Sequence, residues 1–267
     1  MTTTIGNQYI MEDPREATRL STKVDSDDFI QKYIQSCIHT STQKILDVGC
    51  GPAAITGRLG ELYPCISITG IDSSQDRVAH AKVRNLSCKN VHIHQADARA
   101  LPFGDETFDI IYCRFLLEYI KESQKAIEEM YRVCKRGGTV ILQDLDGQLI
   151  SNYPVPSFNP ELLKIVEYLA TTGFDPFIGR KLYCMAYDTD FKIKEIKVEP
   201  YHLIFGKIDP HNYELWNLKL DIALPQITKV LGSEENSKAF KKQYLDYLSD
   251  ERSMSISHLI TVNCTRK

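Results

Sequence analysis

The sequence predicts an α/β fold in which a mostly parallel sheet carries helices on both faces. Between residues 44 and 146, five short apolar segments typical of strands alternate with segments of helical periodicity. Parallel strands need long crossover connections, and strands buried on both faces form nearly continuous apolar runs. This alternation therefore favours a layered α/β domain over an all-helical or all-β protein.

The predicted elements of the first half follow in regular order. Two helices come first, over 13–22 and 26–39, the second opened by the capping signal Ser26-Asp27-Asp28. Strands are predicted over 44–49, 66–72, 91–97, 108–114 and 139–146. The helices between them are predicted over 55–63, 74–85 and 123–135.

The pattern loosens after Asp146. A Pro-containing loop covers 151–160, and further elements are predicted as a helix over 161–170, a strand over 191–206, helices over 211–231 and 235–249, and a closing strand over 254–264. No repeat and no linker between two independent domains is visible. We therefore interpret 207–250 as an insertion between the last two strands.

Composition excludes several classes of protein. The 267 residues include 32 Lys+Arg and 35 Asp+Glu, so the formal charge of −3 argues against a general nucleic-acid binder. No apolar run reaches the ~18 residues of a spanning helix, and the N-terminus lacks a signal-peptide pattern. The eight cysteines show no CxxC spacing and are interpreted as free thiols. A cytoplasmic protein that binds neither membrane nor nucleic acid is expected.

The densest signal is ILDVGCGPAAITGRLG, residues 45–60. A buried strand carries Asp47 and ends at a turn in which Gly49 and Gly51 permit close approach of a ligand to the backbone. Helix amides after the turn favour an anionic group. Residues 49–54 also fit the GxGxx[GA] pattern of dinucleotide-binding sites, but this pattern alone is weak evidence for such a site. Asp47 would repel a pyrophosphate and attract an ammonium or a sulfonium.

Asp-x-Gly-x-Gly at residues 47–51 resembles the cofactor loop of class I S-adenosylmethionine-dependent methyltransferases, in particular the small-molecule branch that contains the ubiquinone and menaquinone enzymes. The resemblance is close over 45–146 and topological beyond. It implies a Rossmann-like sheet of seven strands, with the last strand antiparallel between the fifth and sixth. One departure is Ala53, where the family normally has Gly.

The resemblance also implies a set of cofactor contacts. Asp72, followed by Ser73, would bind the ribose hydroxyls, although Asp72 also suits the N-cap of the next helix. Asp97 and Ala98 would contact the adenine. The whole predicted cofactor set is Tyr9, Arg19, Asp47, Gly49, Cys50, Gly51, Asp72, Ser73, Asp97, Ala98, Cys113 and Arg114.

Four of these are implied by relatives alone. Cys113 and Arg114 lie at the end of the fourth strand, where the family holds the methionine part of the cofactor. Tyr9 and Arg19 match an N-terminal segment that closes over the cofactor in relatives, and an ordinary surface helix fits them equally. No metal is predicted, because His92 and His94 share a strand face without further converging ligands.

The predicted reaction moves a methyl group from S-adenosylmethionine to an oxygen, nitrogen or carbon of a small acceptor. A hydroxyl acceptor would need a general base, for which His202 is the first candidate and Glu118 and Asp146 are weaker ones. The acceptor is expected to be apolar or aromatic, since aromatic residues are frequent after residue 150: Tyr153, Phe158, Phe174, Phe177, Tyr201, Tyr213 and Trp216.

One domain is expected to cover 1–267. Its parts are a helical cap over 1–40, the cofactor core over 41–150, and a substrate-side half over 151–267 that contains a helical lid at 207–250. The chain is expected to act as a monomer or homodimer. Two alternatives stay open, a nicotinamide-dependent oxidoreductase and a non-catalytic protein that binds S-adenosylmethionine.

Overall fold

The computed structural model describes Arg15, residues 24–148 and residues 150–267. Its strands are β1 (Lys44–Val48), β2 (Ser67–Asp72), β3 (Val91–Gln95), β4 (Phe108–Arg114), β5 (Cys134–Asp146), β6 (Asn152–Tyr153), β7 (Lys192–Phe205) and β8 (Met254–Thr265). Its helices are α1 (Ser26–Phe29), α2 (Ala54–Leu62), α3 (Gln75–Arg84), α4 (Ser123–Val133), α5 (Asn159–Thr172), α6 (Ile178–Asp188), α7 (Pro210–Leu231) and α8 (Glu234–Leu248). A π-helical turn at Ile30–Ile34 and a 3-10 turn at Gln35–Cys37 extend α1.

The strands join into one mixed sheet with the order β3-β2-β1-β4-β5-β8. The pairs from β3 to β5 are parallel, whereas β8 runs antiparallel to β5 on one side and to β7 on the other. The last long strand therefore lies between the fifth and the penultimate strand. This confirms the predicted Rossmann-like sheet with its antiparallel final strand.

Each face of the sheet buries its own apolar cluster. On one face, Leu46, Ile111 and Leu142 pack with residues of α4 and α6. On the other face, Ile45 and Ile110 pack with residues of α1 and α2. Because successive strand side chains point to opposite faces, the apolar runs of β1 and β4 supply both clusters.

A third apolar cluster joins the helices of the second half. Phe158, Trp216, Leu220 and Tyr244 are buried together in it, and they bring α5, α7 and α8 into one packed unit. The helices predicted over 161–170, 211–231 and 235–249 are the core of this unit. None of the described helices combines the length and apolar character that crossing a membrane requires.

Two elements differ from the sequence-based expectation. The sequence predicts no element over 171–190, yet α6 occupies Ile178–Asp188 and buries Ile178, Leu182 and Ala186 at four-residue spacing. Gly179 lies so close to β5 that an added Cβ would be 2.9 Å from the Leu145 carbonyl oxygen. The two-residue strand β6 pairs with Ser255 and Met254 at the start of β8. The helix predicted over 13–22 lies outside the described residues except for Arg15.

Candidate functional site

The turn after β1 has the left-handed backbone that its glycines permit. Gly49 (φ 79°) and Gly51 (φ 53°) both have positive φ, and the Gly49 and Cys50 amides each donate to the Ile71 carbonyl at 2.8 Å. Ala53 also has φ 55° and ψ 41°, so it is in the left-handed region just before α2. That conformation accounts for the family preference for Gly there, because an L-residue is disfavoured in it.

A cleft of about 180 Å³ lies at the carboxyl ends of the parallel strands. Nine of the predicted cofactor residues line it, namely Asp47, Gly49, Cys50, Gly51, Asp72, Ser73, Asp97, Ala98 and Arg114. Cys113 is 1% exposed and belongs to the apolar core beneath, and it does not line the cleft. Tyr9 and Arg19 lie outside the described residues. Ligands of open α/β sheets bind at this edge, where the loops after the strands converge.

Asp47 is a buried acid of the cleft with a strongly raised pKa. It is 4% exposed, and its Oδ2 accepts from the Thr56 hydroxyl at 2.6 Å and from the Tyr112 hydroxyl at 2.7 Å. Burial raises its pKa to about 7, an effect that these two hydrogen bonds oppose. A carboxylate in this environment favours a cationic ligand, since an adjacent positive charge stabilises its ionised form.

Asp72 ties the glycine loop to the next helix. Its Oδ2 accepts from the Gly51 amide at 2.9 Å, and its Oδ1 accepts from the Ser74 amide at 2.9 Å. Arg77 Nε donates to the same Oδ1 at 3.1 Å. A carboxylate has about four lone-pair positions, so these three bonds leave about one, on Oδ2, for a hydroxyl of a ligand. Sequence reasoning missed Arg77, although its position in the first turn of the helix that follows Ser73 and Ser74 was a usable signal.

Two arginines besides Arg77 line the cleft. Arg99 makes a bidentate pair with Asp97, with Nη2 to Oδ2 at 2.7 Å and Nε to Oδ1 at 3.0 Å, and this pairing lowers the pKa of Asp97. Arg114 donates through Nε to Gln143 Oε1 at 2.8 Å and lies over the Phe115 ring at 4.0 Å. Its fork has five donors, so Arg114 retains donors for an anionic group in the cleft.

The three candidate bases are differently placed. Glu118 lines the cleft and is 1% exposed. Asp146 is ion-paired to Arg180 at 2.8 Å and lies outside the cleft wall. His202 lies on β7 with φ 46°, its ring 5.3 Å from Trp216, and it does not line the cleft.

A chain of polar groups that sequence reasoning missed surrounds Glu118. Asp144 is fully buried and accepts from the Glu118 amide at 3.2 Å, and burial together with the charge of Glu118 raises its pKa. With its amide oriented to satisfy both neighbours, Gln148 donates to Glu118 Oε2 at 3.1 Å and accepts from Lys219 Nζ at 2.8 Å. Lys219 comes from α7, so the substrate-side half contributes to the cleft wall.

His92 and His94 are exposed on β3. Across residues 24–148 and 150–267, no three His, Cys, Asp or Glu side chains come close enough to hold a metal ion. Of the aromatic residues expected at an acceptor site, only Tyr201 lines the cleft, while Phe174 and Trp216 line a smaller neighbouring cavity.

Comparisons with known proteins agree with this geometry. The methyltransferase domain family matches residues 46–142. An uncharacterized methyltransferase of Schizosaccharomyces pombe is 30% identical over 63% of this chain and 62% of its own length. The ubiquinone/menaquinone biosynthesis C-methyltransferase of Klebsiella pneumoniae is 32% identical over 49% of this chain and 55% of its own length. The chain thus spans less than two thirds of these curated relatives.

A solved structure shows the same fold. The phosphoethanolamine N-methyltransferase 2 of Haemonchus contortus, in complex with phosphomonomethylethanolamine and S-adenosylhomocysteine, superposes with a TM-score of 0.57. It is 17% identical, and the alignment covers 90% of this chain and 52% of that one. Over residues 46–142 the chain therefore carries the methyltransferase domain, with the Asp-Gly-Gly turn at its cleft.

Proposed function

We propose that this protein transfers a methyl group from S-adenosylmethionine to a small acceptor of apolar or aromatic character. The observation that carries the proposal is Asp47, a buried carboxyl at the glycine turn that lines the cleft. The ionised form of this carboxyl is destabilised by burial, and a ligand with an ammonium group would stabilise it. The residues of the cleft therefore fit the cofactor.

The other cleft residues suit the remaining parts of the cofactor. Asp72 would accept from the ribose hydroxyls, and Asp97 with the Ala98 amide would contact the adenine. Arg114 would donate to the cofactor carboxylate. Gly49 and Gly51 let the backbone approach the ligand, because neither carries a side chain into the cleft. We assign these roles by position, and Tyr9, Arg19 and Cys113 keep theirs only as implied by relatives.

When bound, S-adenosylmethionine supplies a sulfonium methyl group that is open to attack. The protein contributes by orienting the cofactor and the acceptor and by excluding water, since its side chains do not have to form a charged intermediate. A hydroxyl or ammonium acceptor must also lose a proton. Glu118 is better placed than His202 to take it, because Glu118 lines the cleft and His202 does not.

The acceptor is proposed to be a small molecule, and the choice among oxygen, nitrogen and carbon is left to experiment. The nicotinamide alternative is less well supported, because a pyrophosphate near Asp47 would meet a negative charge. A non-catalytic binding role is less well supported because a second cavity adjoins the cleft, as expected for an acceptor site.

S-adenosylhomocysteine is expected to raise the Tm of the protein, whereas NAD and NADP are expected to leave it unchanged. A ligand that binds only the folded state stabilises it by RT ln(1 + [L]/Kd), about 2.7 kcal/mol at a hundredfold excess over Kd. A thermal-shift series with the three compounds at equal concentration measures this. Stabilisation by NAD without stabilisation by S-adenosylhomocysteine would reject the proposal.

We propose that the chain divides into a helical cap over 1–40, a cofactor core over 41–150 and a substrate-side half over 151–267. Within this last part, the segment 207–250 is proposed as a lid. S-adenosylhomocysteine is expected to slow hydrogen exchange more in 209–224 than in 235–249. The reason is that Lys219 of α7 lines the cleft, whereas α8 contributes no residue to it. Hydrogen exchange with mass spectrometry compares the two segments, and equal protection of both would argue against the lid.

A further inference from the structure

A second cavity, of about 70 Å³, adjoins the cleft and is enclosed mainly by α5, α7 and α8. Tyr119, Gln148 and Lys219 line both spaces, so they form the boundary between them. The rest of its wall is aliphatic and aromatic apart from Gln226 and Tyr244. An apolar cavity with few polar groups that joins a reaction cleft is the usual form of a small-molecule site.

Tyr244 is the unusual member of this wall. It is 1% exposed, and its hydroxyl is buried without a hydrogen-bond partner among the described residues. The nearest rings are Phe158 at 5.3 Å, Trp216 at 5.5 Å and Phe240 at 6.0 Å. A bound water needs about two to four polar partners, which these apolar rings do not provide. A buried hydroxyl of this kind requires an explanation, and a ligand oxygen supplies one.

We propose that the apolar body of the methyl acceptor fills this cavity and that the Tyr244 hydroxyl hydrogen-bonds an oxygen of the acceptor remote from the methylated atom. This inference rests on the methyl transfer proposed above. The acceptor class is then a compact aromatic or alicyclic molecule with a hydroxyl or carbonyl oxygen opposite the methyl-accepting atom.

The boundary residues complete the arrangement. The Gln148 amide links Glu118 Oε2 at 3.1 Å to Lys219 Nζ at 2.8 Å, so the polar groups concentrate where the cavity meets the cleft. The accepting atom is polar and reacts in the cleft, whereas the body behind it is apolar. The cavity therefore matches an acceptor whose polarity lies at its two ends.

The test uses phenol and toluene, which have similar shapes and differ in that phenol carries a hydroxyl where toluene carries a methyl group. Trp216 is the only tryptophan of the chain and lines the cavity, so its fluorescence reports occupancy. Both probes are titrated with and without saturating S-adenosylhomocysteine, into the wild type and into Tyr244→Phe. The matched control is Tyr247→Phe, since Tyr247 lies on the same helix, outside the cavity, and donates to the Met254 carbonyl at 2.8 Å.

Both probes are expected to bind with S-adenosylhomocysteine present. The phenol-to-toluene affinity ratio should fall about 3- to 10-fold in Tyr244→Phe and stay unchanged in Tyr247→Phe. The Tm of Tyr244→Phe should not fall, because the variant removes a buried hydroxyl that lacks a partner, and this shows that it folds. Displacement of phenol by S-adenosylhomocysteine, an unchanged ratio, or no binding would overturn the inference. Failure of S-adenosylhomocysteine itself to bind would instead reject the proposed function.

Discussion

An Asp47→Asn variant is expected to lose about 10²-fold in affinity for S-adenosylhomocysteine, while its free energy of unfolding at pH 8 rises by about 2–4 kcal/mol. The affinity falls because a charged acceptor for the ligand ammonium is removed. The stability rises because the amide keeps the size of the carboxyl and can still accept from Thr56 and Tyr112, yet it carries no buried charge.

The sign of the stability change follows from the pKa of Asp47. An unfolded aspartate titrates near 3.9, whereas burial raises the folded value to about 7. Between about pH 4 and pH 7 the folded state holds a proton that the unfolded state has lost. The free energy of unfolding therefore falls as pH rises through that window, and the loss is complete above pH 7. The Asn variant lacks this dependence.

Asp109→Asn is the matched control for this prediction. Asp109 pairs with Lys135 Nζ at 2.6 Å and accepts from the Gln43 amide at 3.0 Å, and its pKa is lowered. The same substitution should here reduce the free energy of unfolding by about 1 kcal/mol and leave ligand affinity unchanged. Denaturant unfolding at pH 8 and calorimetry measure both quantities. A destabilised Asp47→Asn that binds normally would contradict the assignment of Asp47.

Gly51→Ala is expected to weaken S-adenosylhomocysteine binding by more than about tenfold, with a stability loss of only about 1–2 kcal/mol. An added Cβ at Gly51 meets no protein atom within 4 Å, and Gly51 lines the cleft, so the methyl group would occupy ligand space. The stability loss reflects the left-handed φ of 53°. Thermal unfolding and calorimetry separate the two effects.

Two further variants make this prediction specific. Gly137 also has a left-handed φ of 74° and open space around an added Cβ, but it lies outside the cleft wall, so Gly137→Ala should cost similar stability and no affinity. Gly49→Ala should destabilise more, by about 2–5 kcal/mol, because its Cβ would lie 2.7 Å from Leu116 Cδ2. Equal affinity in Gly51→Ala and Gly137→Ala would show that the ligand does not approach the turn.

Much of the fold could be predicted because short stretches of sequence are enough to indicate its strands. The apolar runs of β1 and β4 and the glycine turn after β1 each define their structure within a few residues. Helix α6 was missed because Gly179 in its first turn is a poor helix former, and the role of this glycine depends on contact with a distant strand. Nothing local in the sequence reveals such a contact. The two-residue strand β6 is likewise formed only by pairing with β8.

The candidate site divides in the same way. The acidic residues near the ends of strands could be found from the sequence, since strand ends and turns can be recognised there. The side chains that hydrogen-bond to these acids could not be found, because Tyr112 and Thr56 reach Asp47 from separate elements. Lys219 is a further case, since it enters the cleft wall from a helix more than a hundred residues after the glycine turn. Its position depends on how α7 packs, which periodicity alone does not define.

The most direct test of S-adenosylmethionine binding at Asp47 is a calorimetric titration of the wild-type protein with S-adenosylhomocysteine at pH 6 and pH 8. With a pKa of about 7, Asp47 is mostly protonated at the lower pH and mostly ionised at the higher one. We predict one site per chain and an affinity about tenfold higher at pH 8, because the ligand ammonium requires the carboxylate. No binding at either pH, or an affinity that does not change between them, would contradict the account.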